Sequence, residues 1–184
     1  MTTLVIAYHS GYGHTAQLAK KVAEGVEKAG AKAVLHNVAE LTDQLWADIK
    51  AADGVIFGSP TYMANVSAPF KAFMDASSKP WFGQEWKDKI AAGFTNSGSP
   101  SGDKMGTLIS LATFAAQHSM VWVNQGIFPN AEGQNRLSSW LGLMAQSDNS
   151  SAASESNPMP QDQAYAVAFG ERVALATIRW SKSA

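Results

Sequence analysis

The chain has 184 residues, of which 46% are hydrophobic and 16% charged, which suits one domain with a sizeable core and excludes a disordered chain. Its 14 Lys and Arg against 15 Asp and Glu leave a net charge of -1, too weak a field for a nucleic-acid or anionic-membrane partner. Cysteine is absent, which excludes disulfides, thiolate catalysis and Cys-ligated metal.

The opening MTTLVIAYHS lacks the basic segment and long apolar core of a signal peptide, and no apolar run approaches the roughly 18 residues of a membrane span. A soluble, cytoplasmic protein with a small, locally recognised ligand and no metal site is expected. TLVIAY, residues 3–8, is a nearly continuous apolar run, the pattern of a strand buried on both faces. Between Thr15 and Ala29, Leu18, Val22 and Val26 recur at i, i+4 and i+8, marking an amphipathic helix ended by Gly30. AKAVLHNV (31–38) suits a second strand and residues 41–52 a short helix. DGVIFGSP (53–60) reads as a third, buried strand, and SAPFKAFMDAS (67–77) as a helix with Ser67 at the N-cap and Pro69 in its first turn. KIAAGFTNSG (89–98) is a fourth strand, residues 104–118 a helix, MVWVNQGI (120–127) a fifth strand, and residues 161–180 a closing helix.

This alternation predicts a single doubly wound α/β domain over residues 1–184, with five parallel strands and helices on both faces of the sheet. Residues 128–160, rich in Ser, Asn, Gly and Pro, break the rhythm and exceed an ordinary connection. They read as a mobile surface excursion in preference to a substrate lid.

Three loops fall at the carboxyl ends of strands one, three and four: HSGYGHT (9–15), SPTYMAN (59–65) and TNSGSPSG (95–102). In a doubly wound sheet these ends share one edge, where ligands bind. In the first loop Gly11 and Gly13 permit a tight turn, Ser10 and Thr15 offer hydroxyls, and a helix starting near His14 presents unpaired N–H groups at its positive end. That is an anion site, and neutral donors of this kind satisfy a phosphate without a lysine. Taken alone, the loop also reads as a glycine-bearing turn with no ligand; the other two loops argue against that.

Rival phosphate sites are excluded by specific residues. Gly11-x-Gly13-x-x-Ala16 matches a dinucleotide fingerprint, but strand two ends in His36, Asn37 and Val38 without the acid expected about 20 residues on. No Lys follows Gly13 as in a P-loop. A response regulator needs acids where His9-Ser10 and Gly58-Ser59 stand, and a small tyrosine phosphatase needs a cysteine. What remains is a ligand with one phosphate end and a flat polar ring, with Tyr12, Tyr62 and Trp81 as aromatic surface. FMN fits. Trp81 reads equally as core packing, while Trp46, Trp86, Trp122, Trp140 and Trp180 are expected in the core. His118 reads equally as a helix C-cap and as a substrate contact.

SGYGHT (10–15), GSPTY (58–62) with the helix start after it, TNSGS (95–99) and AAQHSMV (115–121) together resemble the WrbA-type NAD(P)H:quinone oxidoreductases of the flavodoxin-like superfamily. The resemblance runs from residue 3 to about residue 127 and returns weakly in the last helix. It implies a strand order 2-1-3-4-5 and a bound FMN. Carried over, Ser10, Gly11, Tyr12, Gly13, His14 and Thr15 would hold the phosphate. Pro60, Thr61, Tyr62 and Met63 would pass along the isoalloxazine, and Asn96, Ser97, Gly98, Ser99, Pro100 and Ser101 would line its other polar edge. Tyr12 would contact the nicotinamide nucleotide, with Trp81 and His118 bordering the space above the flavin. Tyr62 and Met63 stand where relatives carry Arg and Phe, and an insertion used by the family in tetramer formation is absent between strands two and three.

The implied activity is transfer of two electrons from NAD(P)H through FMN to a small quinone, in a homodimer or homotetramer. A flavodoxin-type electron carrier and an NAD(P)H-dependent FMN reductase releasing reduced flavin are the alternatives. Carriers dock through strongly acidic surfaces, which a net charge of -1 does not supply.

Overall fold

A computed structural model describes residues 1–182. Its frame is a parallel sheet built from β1 (Thr3–Tyr8), β2 (Lys32–Asn37), β3 (Gly54–Tyr62), β5 (Ile90–Ser97) and β6 (Val121–Trp122), in the spatial order β2-β1-β3-β5-β6. A two-residue strand β4 (Asn65–Val66) folds back antiparallel on the end of β3. With the five strands of this frame numbered in chain order, this is the expected 2-1-3-4-5 order. The intervening helices are α1 (His14–Lys28), α2 (Asp43–Ala51), α3 (Ala68–Ala76), the short α4 (Ser78–Phe82), α5 (Lys104–Gln117) and α6 (Pro160–Ser181). Among the described residues no helix is long and apolar enough to cross a membrane.

Strand periodicity divides the core in two. Leu4 and Ile6 of β1 point to one face, where Leu18, Val22 and Val26 of α1 meet Phe169 and Val173 of α6. Val5 and Ala7 point to the other, where Leu45, Phe57, Phe70, Phe73, Trp86 and Phe114 pack, with Trp46 at the margin. The central strands are buried on both sides, so β3 and β5 begin as the apolar runs GVIFG and IAAGF rather than alternating, and turn polar only at their carboxyl ends.

On the first face α1 and α6 cross at two glycines. A Cβ at Gly25 would run into Val167 O, and one at Gly170 into Val22 O, so the backbones touch where any side chain would separate them.

The fifth sheet position differs from expectation. The predicted strand over residues 120–127 shortens to Val121–Trp122, and the rest of that position is filled by β7 (Leu143–Gln146), which runs parallel to the carboxyl half of β5. The Trp122 indole N–H donates to Leu141 O at 2.8 Å, fastening the chain where it re-enters. Residues 128–160 therefore contribute a buried strand, with Leu143 and Ala145 in the core, besides irregular surface chain. Hydrophobicity alone could not locate β7, because four residues among Ser, Asn and Gly carry no period.

Two of the predicted core tryptophans lie at the surface. Trp140 is half-exposed and packs edge-on against Phe128 at 4.9 Å between centroids; Trp180 is half-exposed and donates to Asp88 O at 2.8 Å. Each has an apolar body with a polar handle, so a rim position satisfies both.

Candidate functional site

The three loops do converge. Ser10, Gly11, Tyr12, His14 and Thr15 share one cleft with Pro60, Thr61 and Tyr62 and with Asn96, Ser97 and Gly98. Its volume is about 380 Å³, and none of these residues is Lys, Arg, Asp or Glu. A second cleft continues from it, sharing Thr61, Ser97 and Gly98 and adding Ser99, Gly102, Gln146 and Asp148.

At the first loop the chain turns through Gly13 at φ 89°, a left-handed conformation that favours glycine. Gly13 is the N-cap of α1 but has no side chain to cap it, and the first turn holds no acid. The N–H groups of that turn are open to an anion. Beside them, Ser10 Oγ is buried and has no hydrogen-bond partner. A buried hydroxyl without a partner carries a desolvation penalty of about 1–3 kcal/mol that an anionic ligand removes. The donor set fits a phosphate monoester.

Thr15 and His14 have other duties. Thr15 Oγ1 donates to Asn96 Oδ1 at 2.7 Å, and Asn96 Nδ2 donates to Ser147 Oγ at 2.9 Å, a buried chain linking the first loop, the third loop and the segment after β7. His14 Nε2 lies 2.9 Å from Ser151 O and 3.0 Å from Asn157 Nδ2. The Asn157 amide already donates to the carbonyls of Asp148 and Ser151, so the His14 proton goes to Ser151 O. The side chains of Thr15 and His14 thus tie residues 147–157 to the first loop, while both residues line the cleft.

That strap supplies a lining residue the sequence did not reveal. Asn149 borders both clefts, and its side chain packs where a Cβ at Gly98 would be. Its only signal was the polar composition of residues 128–160, which reads equally as surface chain.

In the second loop, Tyr62 and Asn65 pair across a hairpin whose turn residues, Met63 and Ala64, have φ of 47° and 64°. Met63 is 99% exposed at its tip and lines neither cleft. Ser67 does sit at the N-cap of α3, yet its hydroxyl contacts His9 Nδ1 at 2.8 Å instead of capping the helix. Burial holds the His9 pKa below its ordinary value. Pro100 and Ser101 leave the third loop on its far side, against Lys104, Leu137 and Met144.

Trp81 and His118 come together, but elsewhere. They line a separate cleft of about 440 Å³ with Ser77, Met74 and Phe114. His118 stacks on Trp86 at 4.0 Å between centroids, and its Nε2 lies 2.8 Å from Ser77 Oγ. Ser77 Oγ donates to Met74 O, so Nε2 carries the imidazole proton, and Nδ1 is buried without a partner. Burial in this aromatic cage lowers the His118 pKa to about 4. It is therefore neutral near pH 7, which suits neither a charged helix cap nor a ready proton donor.

A 2-1-3-4-5 parallel sheet with a lysine-free phosphate-type loop after its first strand defines a flavodoxin-like α/β protein. The chain belongs to the NADPH-dependent FMN reductase family, whose model matches residues 2–135. It is similar to the flavodoxin FldP of Pseudomonas aeruginosa, 37% identical over 83% of this chain and 85% of that one. It is also similar to an NAD(P)H dehydrogenase (quinone) of Gluconacetobacter diazotrophicus, 31% identical over 84% and 89% of the two chains. Among solved structures, a WrbA-like flavodoxin from Agrobacterium tumefaciens is 40% identical, covers 97% of this chain and 99% of its own, and superposes with a TM-score of 0.77. The WrbA-type resemblance of the loops agrees with these relatives. The protein is accordingly an FMN-dependent NAD(P)H oxidoreductase.

Proposed function

We propose that this protein passes two electrons from NAD(P)H to a small quinone, using FMN held in the three-loop cleft. The reading is carried by one observation: the unpartnered Ser10 Oγ beside the uncapped start of α1, in a cleft lined without formal charge. Ser10, Gly11 and the first-turn N–H groups would take the phosphate; Pro60, Thr61 and Tyr62, with Asn96, Ser97 and Gly98, would hold the ring. When bound, FMN accepts a hydride from the nucleotide and later returns two electrons to the acceptor. Tyr12, 79% exposed at the cleft rim, would meet the nicotinamide nucleotide.

Trp81 and His118 would join the site from another copy of the chain, since within one copy they line a different cleft. Phe82, exposed and packed edge-on against Trp81, gives that cleft an apolar rim suited to a homodimer or homotetramer. Sedimentation of a monomer at working concentration would remove this part of the reading.

The test is anaerobic. Addition of NADH or NADPH to the FMN-loaded protein is expected to bleach the flavin bands within a turnover time, and a small quinone to restore them. No bleaching would favour the electron-carrier reading, which the similarity to a flavodoxin keeps in view and the net charge of -1 disfavours. Absence of FMN affinity would overturn both.

A further inference from the structure

A buried cation closes the third loop from beneath. Lys104, at the start of α5, is 0% exposed, and its Nζ donates to Ser97 Oγ at 2.9 Å and to Ser99 O at 2.6 Å. Ser97 lines both clefts and Ser99 the second. Both acceptors are neutral, and among the described residues no ion pair includes Lys104. The two charged side chains whose fields reach it, Asp162 and Arg136, are paired with each other at 2.6 Å. Desolvation lowers the Lys104 pKa to about 8, which leaves it mostly protonated at neutral pH. One positive charge is thus buried behind Ser97, on the wall of a first cleft whose lining carries no formal charge.

The contact also orients Ser97. A hydroxyl that accepts from an ammonium keeps its own proton to donate. Its acceptor within the loop, Ser99 O, is 3.3 Å away and already receives the Lys104 proton at 2.6 Å. Ser97 is a polarised donor at the cleft wall whose own proton makes only the long bond to Ser99 O, an acceptor it shares with Lys104.

We propose that Lys104 is a positioning residue which, through Ser97, makes the cleft favour reduced over oxidised FMN. The inference rests on the reading of the cleft as an FMN site. A hydride from NAD(P)H brings two electrons and one proton and leaves NAD(P)+ behind, so one negative charge enters the cleft unless a second proton follows. A preorganised cation and the hydroxyl it polarises stabilise charge that develops only on reduction, and they do so most strongly away from water. Loop closure alone would require no charge.

The test uses full-length protein loaded with FMN, as wild type, Lys104→Met and Ser97→Ala, with thermal melts to confirm folding. Oxidised-FMN affinity is read by fluorescence quenching, and the two-electron midpoint potential by equilibration with a reference dye. For Lys104→Met the expected result is about a tenfold loss of preference for the reduced form, a fall of about 30 mV, with oxidised-FMN affinity little changed. Ser97→Ala, which keeps the cation and removes the relay, should move the potential the same way by less, and it stands as the test if Lys104→Met does not fold. Affinities for both forms falling together at unchanged potential would reduce Lys104 to a clasp and overturn the proposal. Wild type without FMN affinity would overturn the reading of the cleft itself, a failure visible before any variant is made.

Discussion

Asn96 Oδ1 accepts the Thr15 hydroxyl proton at 2.7 Å, joining the end of β5 to the first turn of α1 across 81 residues of sequence. Both side chains are buried, and the Asn96 amide continues to Ser147 Oγ. Asn96→Ala would leave two buried hydroxyls unpaired. The expected cost is about 1–3 kcal/mol for each group left unsatisfied, read as a lower urea midpoint at unchanged m-value. FMN affinity should weaken with it, because the three segments around the cleft lose their common tie.

His118 sets an acid limit on stability. Its folded pKa of about 4 lies below the ordinary value of 6.5. Between those two pH values the unfolded chain holds a proton that the folded chain does not, so stability rises with pH in that window. Above about pH 6.5 the group contributes no slope; as pH falls toward 4, stability should decline by up to about 1.4 kcal/mol per unit. Urea midpoints across pH 4 to 7, compared between wild type and His118→Gln, isolate this leg, and equal slopes in the two proteins would rule it out.

The frame was legible because buried parallel strands write themselves as apolar runs, and the cleft because three loops dense in Gly, Ser, Thr and Asn fall at the carboxyl ends of strands that share one edge. Less legible was everything decided by long-range packing. β7 is four residues held by β5 and the Trp122 indole, and Asn149 reaches the cleft only because Asn157 and His14 pin the segment behind it. Lys104 stands two residues beyond the loop TNSGSPSG (95–102) and carried no signal of its own in the sequence; only the fold shows that it turns inward under Ser97. Trp81 and His118, read from the sequence as bordering the ligand, share a cleft with each other and not with the first loop of their own chain.

The hairpin tip of the second loop holds strain that can be relieved. Met63 and Ala64 occupy a two-residue turn with φ of 47° and 64°, a combination that favours Asn-Gly. Ala64→Gly should stabilise the protein by about 1 kcal/mol, since the left-handed conformation costs an L residue about that much and glycine nothing. A thermal melt checks it; a lower midpoint would mean that glycine's freedom in the unfolded chain outweighs the relief.

Gly170→Ala tests the crossing of α1 and α6. Alanine is better than glycine in a helix interior by about 0.8–1.0 kcal/mol. Against that, the new methyl meets Val22 O, a backbone atom with no rotamer by which to retreat. Overpacking of this kind costs about 1–3 kcal/mol, so a net loss of stability is expected. A gain in the denaturation midpoint would show that the two helices separate freely.

Ser10→Ala should move stability and binding in opposite directions. Without ligand, the hydroxyl is a buried polar atom with no partner, and replacing it by a methyl hydrogen removes a penalty of about 1–3 kcal/mol. The FMN-free protein should therefore melt higher. With a phosphate present the same hydroxyl becomes a charge-assisted donor worth about 1.5–3 kcal/mol, so FMN affinity should fall about tenfold to a hundredfold. Riboflavin, which lacks the phosphate, should bind wild type and variant alike. Equal losses for FMN and riboflavin would place Ser10 against the ring rather than the phosphate, and an FMN-free variant that melts lower would mean that the hydroxyl has a partner after all.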